Sequence, residues 1–302
     1  MSKGESPHCR LCNADKSQQR VRAESVFGGF AEHKFWQCAA CDAVYLYPIP
    51  SLEDEKRFYA QEFEKFMAVR SKGERDWSNA DAHKQTNQDQ VARRLPFLQE
   101  YIHPGKKMLE IGCSTGFMLD AFREAGMQCA GVEPSGEFLP YLHKQDYVAV
   151  ESLDELPVGE QYDLIAHFFV FEHIRDPFAF LAQTYELLAD GGVMVAEIPC
   201  VNDPLTSLYE IPAFEEFYWS IAHHYYYSPA ALTHIMEKMS YRYSLVPEQR
   251  YDLSNHMHWM MAGKPGGQGK YSDVFSEQLL HEYRESLKKN WKCDTVFLYI
   301  WK

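Results

Sequence analysis

The sequence predicts a doubly wound α/β fold with a mostly parallel sheet, preceded by a small module that carries cysteine pairs. Between residues 107 and 200, short apolar runs alternate with helical stretches, which is typical of βαβ units. A glycine-bearing turn, LEIGCSTG at 109–116, follows the first apolar run, and an acidic residue, Glu133, ends the second. Two Cys-x2-Cys pairs lie within residues 1–50, where hydrophobic periodicity is weak.

The elements can be assigned in order along the chain. Residues 1–50 form the cysteine module, and residues 51–103 form a helical bridge with apolar residues at three-to-four spacing. Residues 104–302 form the main domain, and its glycine-containing insertion at 253–293 is expected to cover a site. The predicted strands of this domain are 108–111, 129–132, 164–168, 193–198, 241–251 and 296–301. The predicted helices are 117–125, 178–188, 229–239 and 274–289, of which the second and third follow Asp-Pro and Ser-Pro cap signals.

Composition is that of a soluble globular protein. With 302 residues, 46% of them hydrophobic, the chain can bury a large core, which excludes intrinsic disorder. The chain has 30 Lys and Arg against 43 Asp and Glu, a formal charge of −13 that opposes binding to a nucleic-acid backbone. No apolar run approaches the roughly 20 residues that span a bilayer, and residues 1–10 lack the apolar stretch of a secretory signal. We therefore expect a cytoplasmic protein that acts on a small molecule, with no nucleic-acid or membrane partner.

The turn at 109–116 and Glu133 together predict a nucleoside site. Glycine lets a strand-to-helix turn pass close to a bound ligand. Glu133 lies 21 residues after Gly112, where a carboxylate can accept hydrogen bonds from both hydroxyls of a ribose. Glu110 would repel a pyrophosphate and suits an amino group, which disfavours a dinucleotide. The alternative is a structural corner followed by an ordinary acidic loop residue.

The stretch 109–116 resembles motif I of class I S-adenosylmethionine-dependent methyltransferases, with Ser114 in place of the usual middle glycine. Similarity continues through YDLI at 162–165, FEHIRDP at 171–177 and residues 187–199, and it covers roughly residues 105–240. The resemblance implies a Rossmann-like sheet of about seven strands and S-adenosyl-L-methionine as the cofactor. By the same resemblance, the cofactor-binding residues are Glu110, Gly112, Cys113, Ser114, Gly116, Glu133, Pro134, Leu153 and His167.

Four cysteines near the N-terminus predict a structural metal site. Cys9-x2-Cys12 and Cys38-x2-Cys41, with 25 residues between the pairs, have the spacing by which two knuckles supply four thiolates to one tetrahedral zinc ion. Four thiolates leave no open position, so this single zinc ion should be structural, in a zinc-ribbon-like module. A redox pair or core cysteines are the alternatives. Charges in the module are nearly balanced, which argues against RNA binding there.

Two histidines are the candidates for proton transfer. His173 follows the strand 164–168 and His223 follows the strand 193–198, so both belong to the carboxyl edge where doubly wound folds bind ligands. Methyl transfer from a sulfonium to a hydroxyl or a carbon acid requires removal of a proton, and histidine is the natural base near neutral pH. The alternative for each histidine is a polar cap or a partly exposed loop residue.

This arrangement is similar to that of zinc-containing sugar methyltransferases of antibiotic and surface-polysaccharide pathways, in which histidines matching His173 and His223 face the sugar. In the C-methylating members a glutamate precedes the second histidine. Ala222 takes that place here, so O-methylation is favoured over C-methylation. The similarity implies that the substrate-facing residues also include His224, Tyr225, Asn255 and Trp259, with core packing as the alternative for the aromatic ones.

These observations predict an S-adenosylmethionine-dependent methyltransferase that acts on a small hydroxylated substrate, namely a nucleotide-linked or polysaccharide sugar. The alternative is an RNA-modifying methyltransferase that uses the zinc module for recognition. A non-catalytic binding protein that kept the fold is a third hypothesis. Intact Glu110, Gly112, Gly116 and Glu133 disfavour it, because a dead site need not keep them.

Overall fold

The computed structural model describes residues 6–70 and 79–302. In its first part, three antiparallel strands form a meander: β1 (Gln19–Ala23), β2 (Lys34–Cys38) and β3 (Val44–Tyr47). Tyr225 and Tyr226 of the main domain pair with β3 and complete a four-stranded sheet. The module predicted over residues 1–50 therefore shares its sheet with the main domain.

The bridge is helical, as its apolar spacing predicts. It contains α1 (Leu52–Arg57), α2 (Phe63–Arg70), α3 (Ala80–Thr86) and α4 (Gln88–Leu98), with a π-helical turn at Phe58–Glu62 between the first two. The prediction of helix over 71–78 lies outside the described residues. Ser51 begins α1 by accepting a hydrogen bond from the backbone N–H of Asp54, and Phe97 at the end of α4 stacks on Phe297 with ring centroids 3.8 Å apart. That stacking places the bridge against one face of the main sheet.

The main sheet confirms the predicted doubly wound architecture. The strands of the main domain are β4 (Lys107–Ile111), β5 (Gln128–Val132), β6 (Val148–Val150), β7 (Tyr162–Phe168), β8 (Leu188–Pro199), β9 (Tyr225–Tyr226), β10 (Arg242–Glu248) and β11 (Thr295–Trp301). All except β9 join one sheet in the order β10-β11-β8-β7-β4-β5-β6. Among these described strands, β11 alone runs in the direction opposite to the other six.

The helices of the main domain are α5 (Phe117–Glu124), α6 (Phe138–Lys144), α7 (Pro177–Glu186), α8 (Pro204–Ser207), α9 (Pro212–Tyr218), α10 (Pro229–Met239), α11 (Leu253–Ala262) and α12 (Glu277–Lys289). Two predicted caps are confirmed. The Asp176 carboxylate accepts hydrogen bonds from two backbone N–H groups at the start of α7, and the Ser228 hydroxyl accepts one at the start of α10. Proline occupies the first position of both helices, where its missing N–H costs nothing.

Some elements of the main domain depart from the sequence predictions. The strand β6 has only three residues, which is too short for an alternating pattern to show, and the prediction missed it together with α6. The insertion contains the helix α11 as well as the predicted α12. The strand predicted over 241–251 ends at Glu248, because the backbone N–H and the guanidinium of Arg250 both donate to the carboxylate of Asp294 instead of continuing the ladder.

Apolar side chains cover both faces of the main sheet. On β4, Leu109 and Ile111 belong to one core and Met108 to the other, as the alternation of a strand buried on two faces requires. The first core extends to Tyr45 in the cysteine module and to Tyr225, so burial of apolar surface joins the module to the main domain. No helix in the described part of the chain has the length and apolar character to cross a membrane.

Candidate functional site

The turn after β4 comes close to its neighbours and depends on glycine. Gly112 has a φ of +71° and Gly116 a φ of +74°, in the left-handed region that glycine adopts at no steric cost. A Cβ atom on Gly112 would lie 2.6 Å from Cγ2 of Val170. The backbone N–H groups of Gly112 and Cys113 both donate to the carbonyl oxygen of Val132, at 2.7 and 3.2 Å. The turn is therefore fastened to the end of β5, immediately before Glu133.

Glu133 holds the turn directly. One carboxylate oxygen accepts a hydrogen bond of 2.6 Å from the backbone N–H of Ser114, and the other accepts one of 2.9 Å from Ser135. A carboxylate offers about four acceptor positions, so this role is compatible with hydrogen bonds from two ribose hydroxyls. The predicted partnership between the turn and the acid at the end of β5 is thus present in the fold.

Glu110 lies on β4, immediately before the turn, and has a carboxylate oxygen that is free to accept a hydrogen bond. It is 2% exposed, and one of its carboxylate oxygens has no hydrogen-bond partner among the described residues. Burial raises the pKa of Glu110 well above its usual range, and the charge of Arg94 only partly opposes this. A buried carboxyl without a full set of partners suits a donor group of a ligand, such as the amino group of methionine.

The other predicted cofactor residues lie along the same edge. In the sheet register, Val132 pairs with Ile111 and Ile111 pairs with His167, so the ends of β5, β4 and β7 are level. His167 is buried, neither ring nitrogen has a partner in the described part of the chain, and burial lowers its pKa to about 3. Cys113 is buried in the turn, Pro134 is exposed just after Glu133, and Leu153 follows β6.

The structure brings the two predicted catalytic histidines together. The ring centroids of His173 and His223 lie 4.7 Å apart and the rings are nearly perpendicular, at 86°. Nδ1 of His173 lies 2.8 Å from the carbonyl oxygen of Ala222 and 2.9 Å from the hydroxyl of Tyr59. Burial lowers the pKa of His173 to about 4 and that of His223 well below its usual value, so both rings are neutral near pH 7.

Glu172 joins this pair, and the sequence analysis missed it as a site residue. It is 1% exposed, one of its oxygens has no partner among the described residues, and burial raises its pKa to about 8. One ligand atom from each of Glu172, His173 and His223 lies within 4.8 Å of the other two. The signal was available, because Glu172 immediately precedes His173 within the FEHIRDP stretch.

His224 and Tyr225 lie beside the histidine pair, at the seam between module and main domain. Nε2 of His224 lies 3.2 Å from a carboxylate oxygen of Glu55, and its Nδ1 lies 3.3 Å from the guanidinium of Arg10. The ring of Tyr225 is 1% exposed and contacts both that guanidinium, 4.8 Å from its centroid, and the stacked ring of Tyr227. In this conformation Tyr225 has no open face for a sugar, which matches the core-packing alternative.

Asn255 and Trp259 lie on α11 in the insertion. Trp259 is 4% exposed and packs against Phe214 and Phe217, with ring centroids 5.0 and 5.1 Å away. It belongs to an apolar cluster separate from the one that contains Tyr225. Asn255 is buried, and its side-chain oxygen has no partner among the described residues. The described contacts of these two residues do not connect them with the histidine pair.

A cleft of about 850 Å³ opens between the module, the bridge and the loop that precedes β9. Its walls include four phenylalanines, Phe27, Phe30, Phe58 and Phe66, and four acids, Glu32, Asp54, Glu55 and Glu62. Tyr59 and Ala222 are among its lining residues, and both contact Nδ1 of His173. Two residues of the cleft wall are therefore in direct contact with the histidine pair.

The four module cysteines form one cluster. The Sγ atoms of Cys9 and Cys41 are 3.7 Å apart, as are those of Cys12 and Cys38. Four thiolates around a tetrahedral zinc ion with bonds near 2.3 Å would be spaced by about 3.8 Å. Backbone N–H groups of Cys12 and Ala40 point at two of the sulfurs, at 3.5 and 3.4 Å. The donor set and spacing fit a structural zinc ion.

A model of a family described as a methyltransferase domain matches residues 83–243 of the chain, more than half of its 302 residues. The chain belongs to this methyltransferase-domain family. The matched range contains the glycine turn, Glu133 and both catalytic candidates, so the predicted site lies within the part that defines the family.

Relatives of this methyltransferase-domain protein differ in their substrates. It is 33% identical over 155 residues to a tRNA U34 carboxymethyltransferase of Dichelobacter nodosus (strain VCS1703A), a match that covers 48% of each protein. It is 32% identical over 98 residues to a ubiquinone biosynthesis O-methyltransferase of Bradyrhizobium sp. (strain ORS 278), covering 30% of this chain and 39% of that enzyme. The chain spans about half or less of the length of these curated relatives.

Solved structures of low identity share the fold. A SAM-dependent methyltransferase from Archaeoglobus fulgidus aligns with a TM-score of 0.52 and 18% identity, covering 80% of this chain and all of that one. Magnesium protoporphyrin IX methyltransferase from Synechocystis PCC 6803 aligns with a TM-score of 0.50 and 12% identity, covering 83% of this chain and 98% of that one. The methyltransferase-domain protein thus has the fold that its strand pattern predicts.

Proposed function

We propose that this protein transfers the methyl group of S-adenosylmethionine to a hydroxyl of a small hydroxylated acceptor, a nucleotide-linked or polysaccharide sugar. One observation carries the proposal. The glycine turn held by Glu133 and the histidine pair of His173 and His223 occupy the same carboxyl edge of the sheet, and the 850 Å³ cleft is lined by Tyr59 and Ala222, which contact His173. The proposal places the donor site at the turn and the acceptor site beside the histidine pair.

The chain's residues fit the donor. Glu133 would accept hydrogen bonds from the ribose hydroxyls, and Glu110 would accept one from the amino group of the methionine portion. Gly112 leaves room for the ligand to lie against the backbone of the turn. When bound, S-adenosylmethionine supplies an electrophilic methyl group on a sulfonium, so the remaining tasks of the protein are alignment of the acceptor and removal of its proton.

The acceptor side fits a polyhydroxylated molecule. Carboxylates of Glu32, Asp54 and Glu62 can accept hydrogen bonds from hydroxyls, and aromatic walls can pack against the apolar faces of a pyranose. His173, which contacts the cleft residues Tyr59 and Ala222, or its neighbour His223 would receive the proton of the reacting hydroxyl. Ala222 stands where a glutamate precedes the second histidine in C-methylating sugar enzymes, which favours oxygen as the methyl acceptor. The zinc ion held by the cysteine cluster would be structural, because four thiolates leave no open position.

A second candidate is modification of RNA, since one relative is named a tRNA carboxymethyltransferase. The chain covers only 48% of that relative, and the net charge of −13 opposes a phosphate backbone. The acids that line the cleft add to this opposition. We therefore place the sugar acceptor first.

The test measures methyl uptake from labelled S-adenosylmethionine by a panel of nucleotide sugars and, in parallel, by tRNA. We expect uptake by at least one nucleotide sugar and none by tRNA. His223→Ala should reduce turnover at least about a hundredfold while sparing cofactor affinity, and His281→Ala on the exposed face of α12 is the matched control. Uptake by tRNA alone would contradict the sugar proposal, and unchanged turnover in His223→Ala would remove that histidine from the mechanism.

A further inference from the structure

We infer that Glu172, His173 and His223 bind a divalent transition-metal ion, at a site separate from the four-cysteine cluster. Ligand atoms of the three residues lie within 4.8 Å of one another. Ligands on one ion with bonds near 2.1 Å lie about 3–4 Å apart. Side-chain movements of about 1 Å would therefore bring the three ligand atoms within bonding distance of one ion. Two imidazoles and one carboxylate are the donor set of many catalytic metal sites.

The backbone holds the two segments that carry these ligands. Glu172 and His173 lie in a 3-10 turn just after β7, and His223 lies in the loop before β9. The backbone N–H of His224 donates to the carbonyl oxygen of Glu172 at 2.7 Å, which links the two segments. The N–H of His223 donates to the carbonyl of Ser220 at 3.0 Å. The three side chains are thus presented by hydrogen-bonded backbone rather than by free loops.

The hydrogen bonds of His173 orient it as a ligand. Its Nδ1 lies 2.8 Å from the carbonyl oxygen of Ala222, an atom that can only accept, so Nδ1 carries the proton. Tyr59 donates to the same carbonyl at 3.0 Å and steadies it. Nε2 of His173 is left with a lone pair. An imidazole whose other nitrogen donates to a backbone carbonyl is the usual arrangement of a metal-bound histidine.

The other two ligands carry buried atoms without partners. One carboxylate oxygen of Glu172 and Nδ1 of His223 both lack a hydrogen-bond partner in the described part of the chain. Glu172 is 1% exposed. A buried polar atom that is left unsatisfied destabilises the folded chain. Two buried polar atoms without partners, clustered with the imidazole of His173, form an arrangement that a cation would satisfy. A purely structural cluster would be expected to pair them.

The donor chemistry distinguishes this site from the cysteine cluster. Neutral imidazoles and a carboxylate suit Zn²⁺, Co²⁺, Mn²⁺ or Fe²⁺, whereas four thiolates select soft metals. Three protein ligands leave at least one open position, which the four-cysteine site lacks. If the proposed function holds, histidines bound to the ion would no longer accept the hydroxyl proton. The ion would instead stabilise the alkoxide of an acceptor hydroxyl bound at that position, and the proton would pass to solvent water. This last step rests on the proposed function, but metal binding itself does not.

The test loads the purified full chain with Co²⁺ and counts ions by mass spectrometry while recording its visible spectrum. We expect about two ions per chain, one with the intense thiolate-to-cobalt absorption of the cysteine site and one with only weak ligand-field bands. His223→Ala and Glu172→Gln should each lose the weakly absorbing ion and keep the thiolate signal. The control His281→Ala should keep both ions.

The retained thiolate signal also reports that the variants are folded around the module, and circular dichroism checks the rest of the chain. One ion per chain in the wild type, or two ions per chain in both His223→Ala and Glu172→Gln, would overturn the inference. Methyl uptake with a single bound ion would leave the proposed function standing without the second site. Two bound ions without methyl uptake by any sugar or tRNA would support the second metal site and contradict the proposed function.

Discussion

The replacement Gly112→Ala tests the part of the proposed cofactor site that depends on the absence of a side chain at residue 112. The new Cβ would lie 2.6 Å from Cγ2 of Val170, and an ordinary contact is about 3.4 Å or more, so the turn or Val170 must move by about 0.8 Å. The φ of +71° adds about 1–2 kcal/mol of backbone strain. Because the N–H of Gly112 donates to Val132, the movement passes directly to the contact between Ser114 and Glu133.

Gly159→Ala is the matched control, since Gly159 has a φ of +85° and nothing lies within 4 Å of its would-be Cβ. Both variants carry the backbone strain, and only Gly112→Ala carries the clash. Calorimetric titration with S-adenosylhomocysteine should show a dissociation constant at least about tenfold higher, or 1.4 kcal/mol, for Gly112→Ala, and an unchanged one for Gly159→Ala. A folded Gly112→Ala chain with wild-type affinity would refute the assignment of this turn to the cofactor.

Three further predictions concern the supporting structure. Cys38→Ser should lower the zinc content by about one ion per chain and expose the module to proteolysis, whereas Cys129→Ser, outside the cluster, should do neither. Glu197→Gln should lose about 3–5 kcal/mol of unfolding free energy at pH 7 by chemical denaturation, since it leaves buried Arg94 without its 2.8 Å ion pair. Burial would raise the pKa of Glu197, but Arg94 and the neighbouring arginine outweigh it and lower the pKa below 4.5. The difference in unfolding free energy between the wild type and Glu197→Gln should therefore be fully present above pH 4.5 and should decrease as the pH falls through the pKa of Glu197 in the folded chain. Equal loss of stability in acid for both proteins would contradict this. Trp259→Ala should destabilise the chain by about 3–5 kcal/mol as a core truncation, and a KM effect without lost stability would instead support sugar stacking.

Much of the fold was predictable because its signals are local. The buried strands β4, β5, β7 and β8 are apolar runs between helical patterns, and the Asp-Pro and Ser-Pro caps mark the starts of α7 and α10. The turn and Glu133 were predictable for a related reason: one βαβ unit separates them by a fixed length of chain. The pairing of His173 with His223 follows from a single rule, that carboxyl ends of parallel strands share an edge.

What escaped prediction depends on contacts between distant parts of the chain. Tyr225 pairs with β3 across about 180 residues of sequence and lies under Arg10, which a tyrosine-rich stretch cannot reveal by itself. The resemblance places Trp259 facing a sugar, but in the fold its ring packs against Phe214 and Phe217 from α9. Glu172 meets His223 only because a distant loop returns to the end of β7, where the N–H of His224 donates to the carbonyl of Glu172. A glutamate next to a histidine therefore could not be identified as part of this cluster from its neighbours in sequence.

The most direct test of the account is a crystal structure of the chain with S-adenosylhomocysteine. We predict that both ribose hydroxyls donate to the carboxylate of Glu133, that the homocysteine portion lies along the turn at 109–116, and that the sulfur faces His173 and His223. A nucleoside bound elsewhere, or one whose sulfur faces away from the histidine pair, would contradict the claim that donor and acceptor meet at this edge of the sheet.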